Sequence, residues 1–324
     1  MTDSRPPPSL TLFDESQVDE SEIDSLGHMN VRFYGLRAAR ANLELLKRVG
    51  VDPAPSSGQI LRRVDTYSRF HREQFAGATL STSGGLIEGE RVDGLEGIGA
   101  YFEIRNVGND ELAASFILTN SLIDVVTQRV LKLPEAISLG NSGYTIHVPA
   151  HGAPRSLSLA PPRHVALPEV ERSVIDDPAA GLMSGRREGE VHHEDCDEHG
   201  RLREDVDLMF VIHHPRASTG TSSFGPPLLR DARGRRYSWA MMETRSAVWA
   251  RPRVNDTVLS IGADIAFSKL WRHTRRWMFV KETGEPLGVS DTVGICIDLD
   301  ARRAIPIPEE VREAIARTCV PQLA

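Results

Sequence analysis

The sequence predicts an α+β protein made twice over, each half an antiparallel sheet packed on one helix. Three observations predict it. A helix-patterned segment near the amino terminus is followed by several strand-patterned segments with no helix between them. The turn that opens the helix, and the marks that close the strands, recur about half a chain later. Between the copies lies a stretch dense in glycine, proline and serine, the composition of a connector.

The first helix is predicted within Ser21–Gly50. Apolar residues at Val31, Tyr34, Leu36, Leu43, Leu46 and Val49 largely follow the three-and-four spacing of one helical face, and Gly50 is the stop. Val51–Gln59 is a loop by composition. Strand patterning covers Leu61–Phe70, Thr79–Ile87, Gly99–Asn106 and Glu111–Val126, with turns at His71–Gly77 and Val107–Asp110. In the second copy the helix is placed at Arg203–His214, shorter than the first. An insertion follows at Thr219–Trp239, then strands at Met241–Ala250, Asp256–Ala266, Leu270–Lys281 and Gly288–Asp298. Pro308–Thr318 is a closing helix with proline in its first turn.

The duplication rests on matched positions. Asp24-Ser25-Leu26-Gly27 returns 173 residues on as Asp197-Glu198-His199-Gly200, and Asp65-Thr66-Tyr67-Ser68 returns 178 on as Glu243-Thr244-Arg245-Ser246. Asp124, Arg129, Pro134 and Glu135 meet Asp298, Arg303, Pro308 and Glu309, all at an offset of 174. The boundaries this implies are an amino-terminal domain over 1–140, a linker over 141–185 and a carboxy-terminal domain over 186–324.

Composition excludes several classes. The 324 residues are long enough for about two domains. They carry a net charge of −7, so no basic excess marks a nucleic-acid partner. Only four cations are lysines, Lys47, Lys132, Lys269 and Lys281; the rest are arginines. Three cysteines, Cys196, Cys296 and Cys319, form no disulfide framework, which points to a reducing compartment. The proline-rich, acidic amino terminus is not a signal peptide, and no apolar run approaches a membrane span. The expectation is a cytoplasmic protein with no membrane or nucleic-acid partner.

The chemistry centres on Asp24-Ser25-Leu26-Gly27-His28-Met29-Asn30, a polar turn running into the first helix. A carboxylate there can cap orphan backbone N–H groups, or it can act on a carbonyl held by those N–H groups and the helix dipole. The order Asp-x-x-Gly-His-Met-Asn, with Tyr34 and a long helix after it, resembles the opening of the 4-hydroxybenzoyl-CoA thioesterase-like branch of the hotdog superfamily. The resemblance covers nearly the whole chain apart from the tail, linker and insertion. It implies a tandem (double) hotdog fold, each half an antiparallel sheet wrapped around a central helix, with the usual dimer seam made intramolecular; a homodimer of such pseudo-dimers stays open.

The resemblance also implies an activity: hydrolysis of an acyl-CoA thioester to a carboxylic acid and free coenzyme A, with no cofactor beyond the coenzyme A of the substrate. Asp24 is then the catalytic carboxylate, as general base or nucleophile, and the backbone N–H of Val31 is the oxyanion donor. Gly27, His28, Asn30, Val31 and Tyr34 make up the substrate-binding set. The second copy keeps Asp197 and Gly200 but reads Arg201-Leu202-Arg203 where the first has His28-Met29-Asn30. Asp197 is therefore a second catalytic candidate or a structural turn residue, with the structural role favoured.

Other groupings weigh less. His71-Arg72-Glu73 offers Glu73 as an alternative base, or as a solvated charge at a strand end. His192, His193, Asp195, Cys196, Asp197 and His199 group like metal ligands on a segment expected to be a strand. Their spacing matches no zinc pattern, and no metal is expected. Nothing near Cys196 completes a nucleophile. The arginines at 230, 233, 235 and 236, or Arg272, Arg275 and Arg276, are candidates for coenzyme A phosphates, against plain surface solvation. Gly94, Gly97 and Gly99 precede a strand and form no phosphate loop. The rival activities are an enoyl-CoA hydratase, whose Gly-Asp-x-Asn-Pro motif is missing, and a non-catalytic acyl-CoA binder or sensor, which would need no carboxylate at Asp24.

Overall fold

A computed structural model describes residues 10–52, 58–87, 97–133, 143–180, 185–204, 206–213 and 229–324. The chain divides into two compact units, 1–161 with 223–225, and 162–222 with 226–324.

In the first unit, β1 (Thr11–Gln17) leads through a 3-10 turn (Glu20–Glu22) into α1 (Val31–Arg48). Then come β2 (Gln59–Phe70), β3 (Thr79–Ile87), β4 (Ile98–Asn106) and β5 (Leu112–Asp124). The short strands β6 (Val130–Leu131) and β7 (Thr145–Ile146) follow. The long strands form an antiparallel sheet in the order β1-β3-β4-β5-β2. Helix α1 lies on one face of it through Tyr34, Ala38, Ala41, Leu45 and Leu46, against Leu86, Ile98, Phe102, Phe116 and Leu118. Each large apolar side chain so buried stabilises by roughly 1.5–3 kcal/mol. The buried stripe differs from the predicted one. Leu43 is exposed, and the turn Ala38–Ala41 lies against the sheet because two small side chains permit close approach. The mutual amide bonds of Asn42 and Asn120, at 2.9 and 3.1 Å, satisfy the polar pair beneath the helix.

The second unit starts with α2 (Leu167–Ser173) and a 3-10 turn (Pro178–Ala180), followed by β8 (Gly185–Glu190) and another 3-10 turn (His193–Asp195). It continues through α3 (Leu208–His213), β9 (Leu229–Arg230), β10 (Arg236–Val248), β11 (Thr257–Phe267), β12 (Trp271–Val280), β13 (Pro286–Asp298), β14 (Arg303–Ala304) and α4 (Glu309–Thr318). Its sheet order, β8-β11-β12-β13-β10, repeats that of the first unit strand for strand. Even irregularities repeat: β2 is bulged between Arg63 and Asp65, and β10 between Met241 and Glu243. Gln128 and Arg302, 174 residues apart, both take positive φ just after the last long strand of their unit. Helix α3 packs Leu208, Val211 and Ile212 on Val258, Met278 and Val280. It sits close to β8 because Gly189 has no side chain; a methyl there would run into the Val211 carbonyl.

Several expectations change. The acidic segment read as tail contains β1, an edge strand on β3. The second helix starts at Leu208, not Arg203, and the segment around His193 is a 3-10 turn, not a strand. Residues 141–185, read as a linker, contribute β7, α2 and the start of β8. The matched positions Pro134 and Glu135, Gly94, and Thr219 to Leu228 of the insertion lie outside the described residues. Among the described residues no helix is long and apolar enough to cross a membrane.

Candidate active site

The turn before α1 is closed by the backbone. Ile23 and Met29 form an antiparallel bridge, Asp24 N–H donates to the His28 carbonyl at 3.0 Å, and Gly27 N–H donates to Asp24 O at 3.0 Å. The reversal places residue 27 at φ +82°, which glycine adopts without strain. Asn30 N–H donates to the Glu22 carbonyl at 2.9 Å, and Met29 N–H to the Gln74 carbonyl at 2.7 Å, so the turn is tied at both ends.

Within this frame the two uses of a carboxylate are divided between two residues. Asn30 is the helix cap: its Oδ1 accepts the Arg32 N–H at 3.0 Å. Asp24 is left facing the turn, its side chain 3% exposed. One oxygen accepts the Leu26 N–H at 2.8 Å, and the other lies 3.4 Å from Asn30 Nδ2. Val31 is the first helical residue, and among the described residues its N–H donates to no acceptor. A carboxylate and an open helix-terminal donor thus sit at one helix start, where the dipole favours negative charge.

His28 stands beside Asp24, 14% exposed. Its Nδ1 lies 3.9 Å from Asp24 Oδ1 and 3.3 Å from the Met29 carbonyl, and its Nε2 lies 3.4 Å from Glu73 Oε1. Glu73, from the β2–β3 connection, is therefore part of the site and not merely a solvated strand end. Its sequence neighbourhood carried no signal beyond His71-Arg72-Glu73, because the turn that folds it back on His28 is a tertiary event. The next residue, Gln74, is buried and accepts from Asn106 Nδ2 at 2.7 Å, which anchors the connection. Tyr34 is buried under it, its hydroxyl donating to the Arg72 carbonyl at 3.4 Å, and burial pushes its phenol well above the ordinary range. Gly27 lies exposed at the tip of the turn.

The turn at Asp197 copies the backbone and not the site. Cys196 bridges Leu202, Asp197 N–H donates to the Arg201 carbonyl at 2.7 Å, and Gly200 N–H donates to Asp197 O at 3.0 Å. However, one oxygen of Asp197 accepts both the His199 N–H at 2.9 Å and the Arg201 N–H at 3.0 Å. Helix α3 begins eleven residues after Asp197, against seven between Asp24 and α1, and Asp207 accepts its Met209 N–H at 2.8 Å. The helix start has moved away from the second carboxylate.

Among the described residues no three His, Cys, Asp or Glu side chains converge as metal ligands. Cys196 donates to the His192 carbonyl at 3.4 Å, and burial, then the charges of Asp197 and Asp195, push its thiol up, the opposite of an activated nucleophile. In the basic run, Arg230 donates to the Gly234 carbonyl, Arg235 pairs with Asp231 and Arg236 with Asp300. Two of the later arginines are also committed: Arg272 is held by Asp264 and Arg275 by Asp291.

No family model matches the sequence, and no curated protein matches it. Solved structures do. The 12:0-ACP thioesterase from Umbellularia californica superposes with a TM-score of 0.59 at 12% identity, over 91% of this chain and 94% of that one. The fold is the hotdog. A putative oleoyl thioesterase from Lactobacillus plantarum gives a TM-score of 0.56 at 12% identity, covering 89% of this chain and 96% of the other. An acyl-ACP thioesterase from Bacteroides thetaiotaomicron gives 0.55 at 9% identity, over 88% and 97%. Each hotdog sheet here thus belongs to an arrangement that those chains share along nearly their whole length.

Proposed function

We propose that this chain is a thioester hydrolase acting on an acyl-CoA, with its working site at Asp24. The observation that carries the reading is the pairing of the Asp24 carboxylate with the Val31 N–H at the start of α1, flanked by His28 and Glu73. Asp24, as general base, takes a proton from water; the hydroxide adds to the thioester carbonyl, whose oxygen gathers charge at Val31. The carbon–sulfur bond then breaks, and the thiolate leaves with a proton from the His28 side. Alternatively Asp24 attacks directly, and water opens the resulting anhydride. Neither route draws a cofactor beyond the coenzyme A of the substrate.

Gly27 and Asn30 shape the entrance to the site. Tyr34 acts from beneath, by holding the connection that carries Glu73. The two units act as a fused hotdog pair in which Asp197 serves as a turn residue. A hydrolysis panel of acyl-CoAs of graded length and polarity, read by free thiol, tests the reading. Acyl carrier protein thioesters form a second arm because the named relatives act on them. Thiol release from at least one substrate is expected; saturable binding without release across the panel would favour a sensor.

A further inference from the structure

The two sheets share a topology, so their helix-facing surfaces can be compared row by row. In the first unit one cross-strand row reads Gly84, Phe102, Phe116, Ser68, and the next Leu86, Ala100, Leu118, Thr66. In the second unit the same rows read Gly262, Arg276, Ser290, Ser246, then Asp264, Thr274, Thr292, Thr244. Directly opposed residues point to one face, so these side chains share the side on which Val258 and Met278 carry α3. Beneath α3 the face stays apolar. Two residues further along each strand, where the first unit packs two phenylalanines and a leucine against its helix, the second presents a guanidinium and hydroxyls.

Apolar burial cannot explain this exchange. Arg276 is 6% exposed, and it donates to Ser260 Oγ at 2.8 Å and to the Gly185 carbonyl at 3.4 Å. Ser246, Ser290 and Thr292 remain partly exposed, with Ser246 Oγ donating to Ser290 Oγ at 3.3 Å. A second cation, Arg187, shares the face opposite Ser260. Burial first, and then the like charge of Arg187, pull Arg276 down to about 10. A bound anion would offset both effects, and a polar layer set into a core position is where local packing rules yield to function.

We infer that this face of the second unit binds a carboxylate or phosphate group, with Arg276 pairing the oxyanion and Ser290 and Thr292 donating to it. Guanidinium with adjacent hydroxyls is the donor set such groups take. The ligand is either a free-standing phosphate compound or an organic acid. The site is independent of the Asp24 chemistry, so it stands or falls separately from the proposed hydrolysis.

Calorimetric titration of the full-length Asp24→Asn protein with pyrophosphate and, separately, glutarate tests it. Saturable binding of at least one is expected, and which one binds assigns the group. Arg276→Gln should weaken that binding about tenfold or more. Ser290→Phe restores the bulk of the first unit and should abolish it. Thr292→Val keeps the shape while removing one donor and should weaken binding severalfold, which guards against loss through misfolding. Absence of saturable binding by both probes, or wild-type affinity in folded Arg276→Gln and Thr292→Val, overturns the inference.

Discussion

Arg37→Met is the perturbation that most directly tests how the Asp24 turn is held. Arg37, on α1, has a side chain 5% exposed and grips Glu22, 16% exposed, with two bonds of 3.1 and 2.8 Å. It also donates to Ser16 Oγ at 3.2 Å and the Gln17 carbonyl at 3.2 Å, so one guanidinium joins β1, the 3-10 turn and the helix. The Glu22 carbonyl in turn receives the Asn30 N–H, two residues from the Asp24 side of the loop. Removing one partner of a buried pair strands the other and costs about 3–5 kcal/mol; the partial hydration open to Glu22 lowers this to about 2–3 kcal/mol. For a unit of this size that corresponds to a melting shift of ~4–12 °C. Calorimetry of Arg37→Met, Glu22→Gln and the double variant measures it, with the double expected to lose less than the sum because no charge is orphaned. Hydrolysis should fall in parallel, as the turn loosens. A single variant within about 0.5 kcal/mol of wild type, or strict additivity, would refute the clamp.

Three further outcomes are expected. His71, bonded to Ser115 Oγ at 3.1 Å, is pulled down by burial and then by Arg69 to about 4, from an ordinary 6.5. The unfolded chain therefore binds the proton first as pH falls. The stability that neutral His71 confers is complete above about 6.5 and lost toward about 4, and denaturant melts of His71→Asn should show a flatter pH dependence over that window. Gly189→Ala should destabilise by about 1–3 kcal/mol, because the new methyl meets the Val211 backbone and not a yielding side chain; an unchanged melting temperature would contradict the close packing of α3 on β8. Asp197→Asn should cost less than about threefold in turnover, since its carboxylate is spent on turn N–H groups and faces no helix start.

The long strands were legible in the sequence because alternation and turn residues mark them, and their ends match the structure within a few residues at β3, β4, β11 and β12. The duplication was legible because the turn and strand-end residues recur, and the bridges and bulges recur with them. Edge strands were not. β1, with Asp14 and Glu15, and β8, reading GRREGE, carry charge on the side that faces water, which in a single sequence looks like tail or linker. The start of α3 was misplaced because Arg203 continues a helical pattern while the backbone between Glu204 and Asp207 turns; the cap is Asp207. At the site, Asp24, His28, Asn30 and Val31 are contiguous and could be read together. Glu73 reaches His28 only through the buried Gln74 connection, so its place was hidden until the fold was seen.

The most direct test of the central claim is the turnover of Asp24→Asn on the best thioester substrate, read by free thiol under saturating conditions. Asparagine keeps the Oδ1 acceptor for Leu26 N–H, so melting temperature and KM should stay near wild type. Losing the base or nucleophile should lower kcat by about a hundredfold or more. Turnover close to wild type in the folded variant would contradict the assignment of Asp24 as the reacting carboxylate.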